Sequence, residues 1–235
     1  QPEFTQVDLE MSFVEQDDVM ALNEGLIKHV FKEVLGVDVK TPIKRMTFKD
    51  AMEKYGSDKP DLRFGMEITN LSDVVKECGF KVFTDAVANG DSVRGLCLEG
   101  GASMGRKDID RLGEFVKTFK AKGLAWIQLK EEGVKSPIAK FFSEEELNKI
   151  IETMGAKTGD LILIVADKNS VVLKALGELR LELSRKFDLV KDKSEFNFTW
   201  ITEFDLLEYD EEEGRYFAAH HPFTMPMDED TKYLD

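Results

Sequence analysis

Three side chains near the start of the chain have the chemistry to bind an ammonium ion and a planar base. Gln6 and Asp8 alternate with apolar residues, and Phe4 precedes them. An amide and a carboxylate can accept hydrogen bonds from an ammonium group, and a phenyl ring can stack on a planar base. The same polar side chains also suit a face that meets water alone, so a binding face and a solvated face are both open alternatives.

The alternation in this segment predicts a strand from Gln6 onward. Val7, Leu9, Met11 and Phe13 share one side of it, because successive side chains of a strand face opposite ways. We therefore expect the apolar side of the strand to belong to the core.

Two adjacent histidines, His220 and His221, form a second candidate site. On an extended segment their side chains point to opposite faces, so at most one imidazole enters a given pocket directly. An imidazole can donate a hydrogen bond to a carboxylate at neutral pH. From the residues alone, a structural pair is the default interpretation.

A glycine-rich turn at residues 100–105 precedes a basic segment that contains Arg106, Lys107 and Arg111. Backbone amides at the start of a helix suit an anion, and neighbouring cations reinforce that preference. A glycine cluster alone is a weak signal, and a flexible turn is the alternative. Residues 106–122 carry six basic and three acidic side chains, which fit either a nucleic-acid contact or solvated surface.

Composition sets limits on the class of protein. The 235 residues are 42% hydrophobic and 33% charged, as expected for one large or two small globular domains. A net charge of −14 argues against a protein that coats itself with nucleic acid. No apolar run approaches the ~18 residues of a membrane span, and no leader pattern is present, so we expect a cytosolic protein without a membrane partner. Cys78 and Cys97 are expected to be buried free thiols.

Helical spacing and capping residues predict helices, and apolar runs predict further strands. The predicted helices are 17–36, with Asp17 as its cap, 47–56, 107–121, 143–154 and 170–187. The predicted strands after the first are 80–84, 93–98, 124–129, 160–167, 197–204 and 216–223, with an acidic turn at 208–213. Because strands and helices mix without a sustained βαβ repeat, we predict an α+β fold.

Four segments together resemble those of bacterial-type aspartyl-tRNA synthetases, which are class II enzymes. They are QPEFTQVDLEMSF at 1–13, YGSDKPDLR at 55–63, GGA at 100–102 leading into RKDID at 106–110, and HHPFT at 220–224. They stand in that family's order and at about its spacing, so the resemblance covers essentially the whole chain. It implies an antiparallel-sheet catalytic domain in residues 1–64 and 191–235. An α+β insertion of the GAD type, shared with certain tRNA-dependent amidotransferase subunits, would occupy 65–190.

The resemblance also implies roles for the candidate residues. Gln1 would contact ATP, Phe4 would lie beneath adenine, and Gln6 and Asp8 would form the polar wall near the ammonium group of the substrate. His220 would contact aspartate.

His221 would support that contact, and the acceptor arm of tRNA would meet Arg106, Lys107 and Arg111. No catalytic residue and no metal ligand is assigned within the chain.

The reaction that the resemblance implies has two displacements. The aspartate carboxylate attacks the α-phosphate of ATP, which brings Mg²⁺ with it, and the terminal ribose of tRNA(Asp) then attacks the adenylate. The parent enzyme would be a cytoplasmic homodimer. An arginine of motif 2 would lie before Gln1 and all of motif 3 beyond Asp235, so we expect an interior fragment that is inactive alone.

Two alternatives to this interpretation stay open. A non-catalytic tRNA-binding module, similar to the amidotransferase subunit, would share the insertion, although it has no need of the flanking ATP and aspartate segments. A synthetase that also charges tRNA(Asn) would carry the same residues, and this sequence does not separate it from one that charges tRNA(Asp) alone.

Overall fold

The computed structural model describes residues 3–210, 213–220 and 224–233. By its internal contacts the chain forms two compact units, Gln1–Arg45 with Phe198–Trp200 and Met46–Asn197 with Ile201–Asp235. The helices are α1 Gln16–Leu35, α2 Phe48–Tyr55, α3 Ser72–Val75, α4 Lys81–Ala88, α5 Arg106–Lys117, α6 Glu144–Thr153 and α7 Asn169–Phe187. The strands are β1 Lys44–Thr47, β2 Thr69–Asn70, β3 Ser92–Leu98, β4 Ala125–Lys130, β5 Gly133–Lys135, β6 Leu161–Asp167, β7 Thr199–Thr202, β8 Leu207–Asp210 and β9 Arg215–Ala218.

The second unit is built on a five-stranded antiparallel sheet with the strand order β2-β3-β6-β4-β5. Strands β3 and β6 pair along their full length, from Ser92 opposite Asp167 to Leu98 opposite Leu161. Mixed helices and antiparallel strands confirm the predicted α+β class.

Both faces of this sheet are covered, so its central strands carry nearly continuous apolar runs. On one face Leu96, Leu163 and Trp126 pack with residues of α5 and α7. On the other face Ile127 and Ile162 pack with residues of α3, α4 and α6. Burial on two sides explains why β6 has no polar alternation.

The predicted helix caps are mostly confirmed. The Thr47 hydroxyl accepts a hydrogen bond from the Asp50 amide, and Gly36 and Gly56 end their helices in the left-handed conformation. Ser143 and Glu146 form the reciprocal capping box at the start of α6. The cap of α1 lies two residues earlier than predicted, because Glu15 is the capping residue and Asp17 lies in the first turn.

The first unit contains a buried carboxylate that connects α1 to two other segments. Glu24 accepts hydrogen bonds from the Ile43 amide and from the Trp200 indole N–H, each at 3.0 Å. The first unit therefore includes Trp200, which lies 176 residues after Glu24 in the sequence.

The predicted strand at the start of the chain is wrong. Residues 3–11 have no regular secondary structure, and Val7 and Phe13 are 75% and 106% exposed. Leu9 and Met11 are exposed as well, so the side chains that were expected to face the core do not do so. Alternation shows which side chains share a face, but a strand forms through a hydrogen-bonded neighbour, and no described strand pairs with this segment.

The prediction of a strand at 80–84 is also wrong, because α4 occupies that position. Phe80 precedes the helix, and Phe83 and Ala86 turn toward the core from one helical face. A short apolar run fits a strand and a buried helix equally well, and here packing against the sheet selects the helix.

Two boundaries differ from the prediction by a few residues, and one of the two cysteines is less buried than predicted. The helix predicted to reach residue 121 ends at Lys117, and Lys120 adopts a positive φ of 71°. The acidic segment is partly a strand, since β8 extends to Asp210 and pairs with β9. Both cysteines are free, as predicted, with Cys78 buried and Cys97 half-buried.

None of the helices among the described residues is long and apolar enough to cross a membrane.

Candidate functional site

The candidate residues at the start of the chain are open to solvent. Phe4 is 73% exposed, and Gln6 and Asp8 are exposed with no hydrogen-bond partner among the described residues. Gln1 lies outside the described residues. The exposed ring, amide and carboxylate are free to meet a ligand, which is compatible with both alternatives left open by the sequence.

His220 follows β9 in the second unit and packs against an aromatic pair. Its ring meets Phe204 edge to face, with centroids 5.0 Å apart and planes at 84°. Phe204 in turn lies 5.0 Å from Phe48, at the start of α2. This contact fixes one edge of the exposed imidazole and leaves its nitrogens available to donate or accept hydrogen bonds. His221 lies outside the described residues.

Phe4, Gln6 and Asp8 belong to the first unit, and His220 belongs to the second. A shared pocket for these residues therefore stays a prediction.

The glycine-rich turn at 100–105 is occupied by contacts within the protein. The amide of Gly100 donates to the Asp160 carboxylate at 2.9 Å, and the amide of Ala102 donates to the Gly159 carbonyl at 2.9 Å. A Cβ at Gly101 would lie 2.9 Å from the Leu161 side chain, so this glycine permits close packing on β6. The turn therefore has a structural role that accounts for Gly101, and its amides at Gly100 and Ala102 are already paired within the protein.

The three basic candidates lie exposed on α5, and two of them have partners. Arg106 donates to Asp110 at 2.8 Å and lies 5.3 Å from the centre of the Trp126 ring. Arg111 pairs with Asp108 at 3.2 Å. Lys107 has no ion pair among the described residues, so of the three cations it is the one most available to a ligand.

The loop that carries YGSDKPDLR is held from behind by a buried arginine that sequence reasoning missed. Arg180 of α7 is 1% exposed. Its guanidinium donates to four backbone carbonyls, those of Asp61 at 2.7 Å, Phe64 at 3.0 Å, Gly65 at 3.1 Å and Met66 at 3.1 Å. It also lies 4.0 Å from the ring centre of Phe64 and 4.9 Å from that of Tyr55.

A sequence signal for Arg180 existed. Leu176 and Leu183 stand four residues before it and three residues after it, so helical spacing places the arginine on the buried face of α7. A cation within an apolar helical stripe predicts a buried polar contact, although the sequence does not say with which segment.

The electrostatics of the loop follow from burial and one ion pair. The hydrogen bond from the Arg63 guanidinium lowers the pKa of Asp61. Burial lowers the pKa of Arg180, and burial followed by the hydrogen bond to Glu67 raises the pKa of Tyr55. Asp61 is therefore an anion that is paired with Arg63. Lys59, the other cation of the loop, is exposed to solvent.

The described residues contain no group of three His, Cys, Asp or Glu side chains that could hold a metal ion.

A family model described as tRNA synthetases class II (D, K and N) matches residues 1–234. Among curated proteins, an aspartate–tRNA ligase of Clostridium perfringens is 99% identical over 235 residues, which are 100% of this chain and 39% of that protein. An aspartate–tRNA ligase of Clostridium botulinum is 74% identical over the same residues and the same shares. One from Clostridium novyi is 66% identical over 100% of this chain and 40% of its own length.

Among solved structures, a hypothetical protein from Pyrococcus horikoshii has 17% identity and a TM-score of 0.32, over 42% of this chain and 53% of that one. The chain spans about two fifths of the length of the curated relatives named above.

Proposed function

Because the chain belongs to the class II tRNA synthetases (D, K and N), we propose that it is an interior segment of an aspartate–tRNA ligase. The parent enzyme would activate aspartate with ATP and transfer it to the 3′ end of tRNA(Asp). The identity of 99% to the Clostridium perfringens ligase over all 235 residues carries this proposal.

The proposed division of labour follows the resemblance and the exposed residues. Phe4 stacks beneath adenine, while Gln6 and Asp8 accept hydrogen bonds from the ammonium group of aspartate. His220 donates a hydrogen bond to the substrate carboxylate, and its ring is steadied by Phe204. In the same proposal, Gln1 contacts ATP and His221 supports His220.

ATP would enter as its Mg²⁺ complex, so the metal comes with the substrate. Such an ion stabilises the charge that develops on the phosphates when the carboxylate attacks. The side chains named above would bind and orient the two substrates, and the preorganised positive charge would come from residues elsewhere in the parent.

The domain division is part of the same proposal. Residues 1–64 and 191–235 would belong to the catalytic domain, and 65–190 would form the inserted domain that carries Arg106, Lys107 and Arg111 toward tRNA. A homodimeric parent in the cytoplasm is proposed with them. The match of the family model over residues 1–234, including both flanks of 65–190, favours a ligase over a separate tRNA-binding module.

The full-length protein tests the proposal through aspartate-dependent ATP–pyrophosphate exchange and through charging of tRNA(Asp) and tRNA(Asn). Lysine and asparagine serve as control amino acids, because the family model also covers enzymes of those types. Exchange supported better by lysine or asparagine than by aspartate would refute the proposal. The 235-residue chain alone is expected to show no exchange, since losing one preorganised charge-stabilising donor costs roughly 10²–10³ in rate.

A further inference from the structure

Burial of Arg180 carries a large desolvation free energy, and its hydrogen-bond partners indicate what the residue does. Removing a guanidinium from water is unfavourable unless its N–H groups are paired. Its four hydrogen bonds end on backbone carbonyls, three of them through Nη2. Because the acceptors are backbone carbonyls, these hydrogen bonds fix the conformation of the main chain of the loop. Hydrogen bonds to a carboxylate at the end of a side chain would not fix it.

The segment that Arg180 fixes is irregular. Residues 57–66 contain neither helix nor strand, and Met66 has a positive φ of 68°. Such a segment has few internal hydrogen bonds that fix its conformation, so a donor from another element, such as Arg180, can fix that conformation. The rings of Phe64 and Tyr55 flank the guanidinium and limit its movement.

A close backbone contact beside the arginine fixes the start of the same loop. A Cβ at Gly56 would lie 2.1 Å from the Leu173 carbonyl oxygen, so the end of α2 touches α7 with no room for a side chain. The loop is therefore attached to α7 at both of its ends.

On its outer side the loop presents cations. Lys59 is exposed and has no ion pair among the described residues. Arg63 lines a cavity of about 490 Å³ together with Arg185 and Lys193. Each of these three cations already has an acidic partner, which is Asp61, Glu182 and Asp188 in turn. Lys59, which has no acidic partner there, is therefore the cation of this positioned loop that suits a phosphate group.

We propose that Arg180 is a positioning residue, which holds the loop 57–63 so that Lys59 meets a phosphate group of a substrate. This inference rests on the proposed ligase function, in which ATP and tRNA both supply phosphates. Arg180 itself touches no substrate, because it lies beneath the loop.

The test uses the full-length ligase with Arg180→Met and Arg180→Lys, and with Lys174→Met as the control. Lys174 is an exposed residue on the same helix, paired with Glu178 at 2.8 Å. Thermal unfolding establishes that each variant is folded. KM and kcat are then measured for ATP in pyrophosphate exchange and for tRNA in aminoacylation.

In folded Arg180→Met we expect one of the two KM values to rise about tenfold with a smaller change in kcat, because misplacing a binding group weakens ground-state binding. Arg180→Lys should give an intermediate value, since one ammonium cannot serve four carbonyls. A rise for ATP identifies the nucleotide as the source of the phosphate, and a rise for tRNA identifies the nucleic acid. Both KM values within about twofold of wild type would overturn the inference.

Lys59→Gln keeps the inference testable if Arg180→Met does not fold. This surface substitution should raise the same KM, whereas Lys49→Gln, at another exposed lysine, should not. If Arg180 acts through the loop, Arg180→Lys should add little to the KM of Lys59→Gln. Unchanged KM values in Lys59→Gln, or fully additive effects, would refute it. A wild-type enzyme that does not use aspartate would instead refute the proposed function.

Discussion

At the residue scale, two nearly buried arginines of the second unit are satisfied in different ways. Arg94 of β3 donates to the Glu53 carboxylate at 2.6 Å and to the Asn169 side chain at 3.2 Å. Arg180 donates to carbonyls of the loop after α2. Both residues connect the sheet and its helix α7 to the segment around α2. Loss of Arg180 would leave the buried carbonyl of Phe64 without its donor, whereas the acceptors of Arg94 can be reached by water.

His220 offers the most direct test of a substrate contact. In the full-length ligase, His220→Ala should raise the KM for aspartate roughly tenfold, which is the effect expected when one hydrogen bond to a charged group is removed. The KM for ATP should stay nearly unchanged, because His220 is proposed to meet the amino acid. His29→Ala, at an exposed histidine of α1, is the matched control. Equal increases in both KM values would indicate a folding defect instead.

Cys97 makes stability depend on alkaline pH. Burial, reinforced by the nearby Asp160 carboxylate, raises the pKa of this thiol from 9.0 to about 12. A raised pKa in the folded state gives stability that is complete below pH 9 and is lost as the pH rises toward 12. Between about pH 9 and 11 the unfolding free energy of the wild type should therefore fall relative to that of Cys97→Ser. A difference that is constant with pH would contradict this expectation.

At the scale of elements, the contact between α2 and α7 depends on two glycines. A Cβ at Gly177 would lie 2.8 Å from the carbonyl oxygens of Tyr55 and Gly56. The two backbones approach closely there, and this places Tyr55 and the following loop against the face of α7 that carries Arg180.

Alanine substitutions at two helical glycines should therefore have opposite signs. Gly177→Ala should destabilise the protein by about 1–3 kcal/mol, the usual cost of overpacking. A Cβ at Gly113 in α5 would meet no atom within 4 Å. Gly113→Ala should stabilise by about 0.5–1 kcal/mol, because alanine favours the helix. Urea unfolding of the two variants measures both effects, and a neutral Gly177→Ala would show that the close approach is not required.

The basic face of α5 is the proposed contact with the acceptor arm. Changing Arg106, Lys107 and Arg111 to glutamine in the full-length ligase should weaken tRNA binding. The salt dependence should also flatten, by about one unit of slope for each phosphate that the protein no longer neutralises. We expect Lys107 to contribute most, because the two arginines are already paired with aspartates of the same helix. Pyrophosphate exchange should survive.

The control for this triple variant removes the same charge on the other side of the sheet. Glutamine at Lys76, Lys81 and Lys149 changes exposed lysines at or near α3, α4 and α6. An equal fall in tRNA affinity in both triple variants would assign the effect to net charge alone.

At the scale of the whole molecule, the segment 65–190, which is proposed to be an insertion, is bound to residues before it. The Ile68 amide donates to the Lys54 carbonyl at 2.7 Å, Glu53 pairs with Arg94, and Arg180 holds the carbonyls of Asp61 and Phe64. These interactions agree with the assignment of α2 and the loop after it to the second unit.

We predict that residues 65–190 fold cooperatively on their own, because they contain the five-stranded sheet and helices on both of its faces. A longer piece, 46–197, should be more stable by about 2 kcal/mol or more, since it restores the partners of two buried arginines. Denaturant unfolding of both pieces measures the difference, with 65–197 as the control for added length. Equal stability of 46–197 and 65–197 would show that the anchors around α2 contribute little.

Elements governed by neighbouring residues were determined by the sequence. Ser143 and Glu146 cap α6, Gly56 ends α2, and the apolar run of β6 forms a buried strand. In each case the relevant hydrogen bond, φ angle or periodicity involves residues a few positions apart. The α+β class followed from the order of such elements, and the family followed from four short segments in sequence.

The tertiary structure decided the features that depend on a distant partner. The alternation after Gln6 does not make a strand without a neighbouring strand, and residues 80–84 became helical through packing on the sheet. The spacing of leucines placed Arg180 on the buried face of α7, but its acceptors lie at least 114 residues earlier in the chain. Local pattern specifies which side chains share a face, and long-range packing specifies whether that face is buried and what it meets.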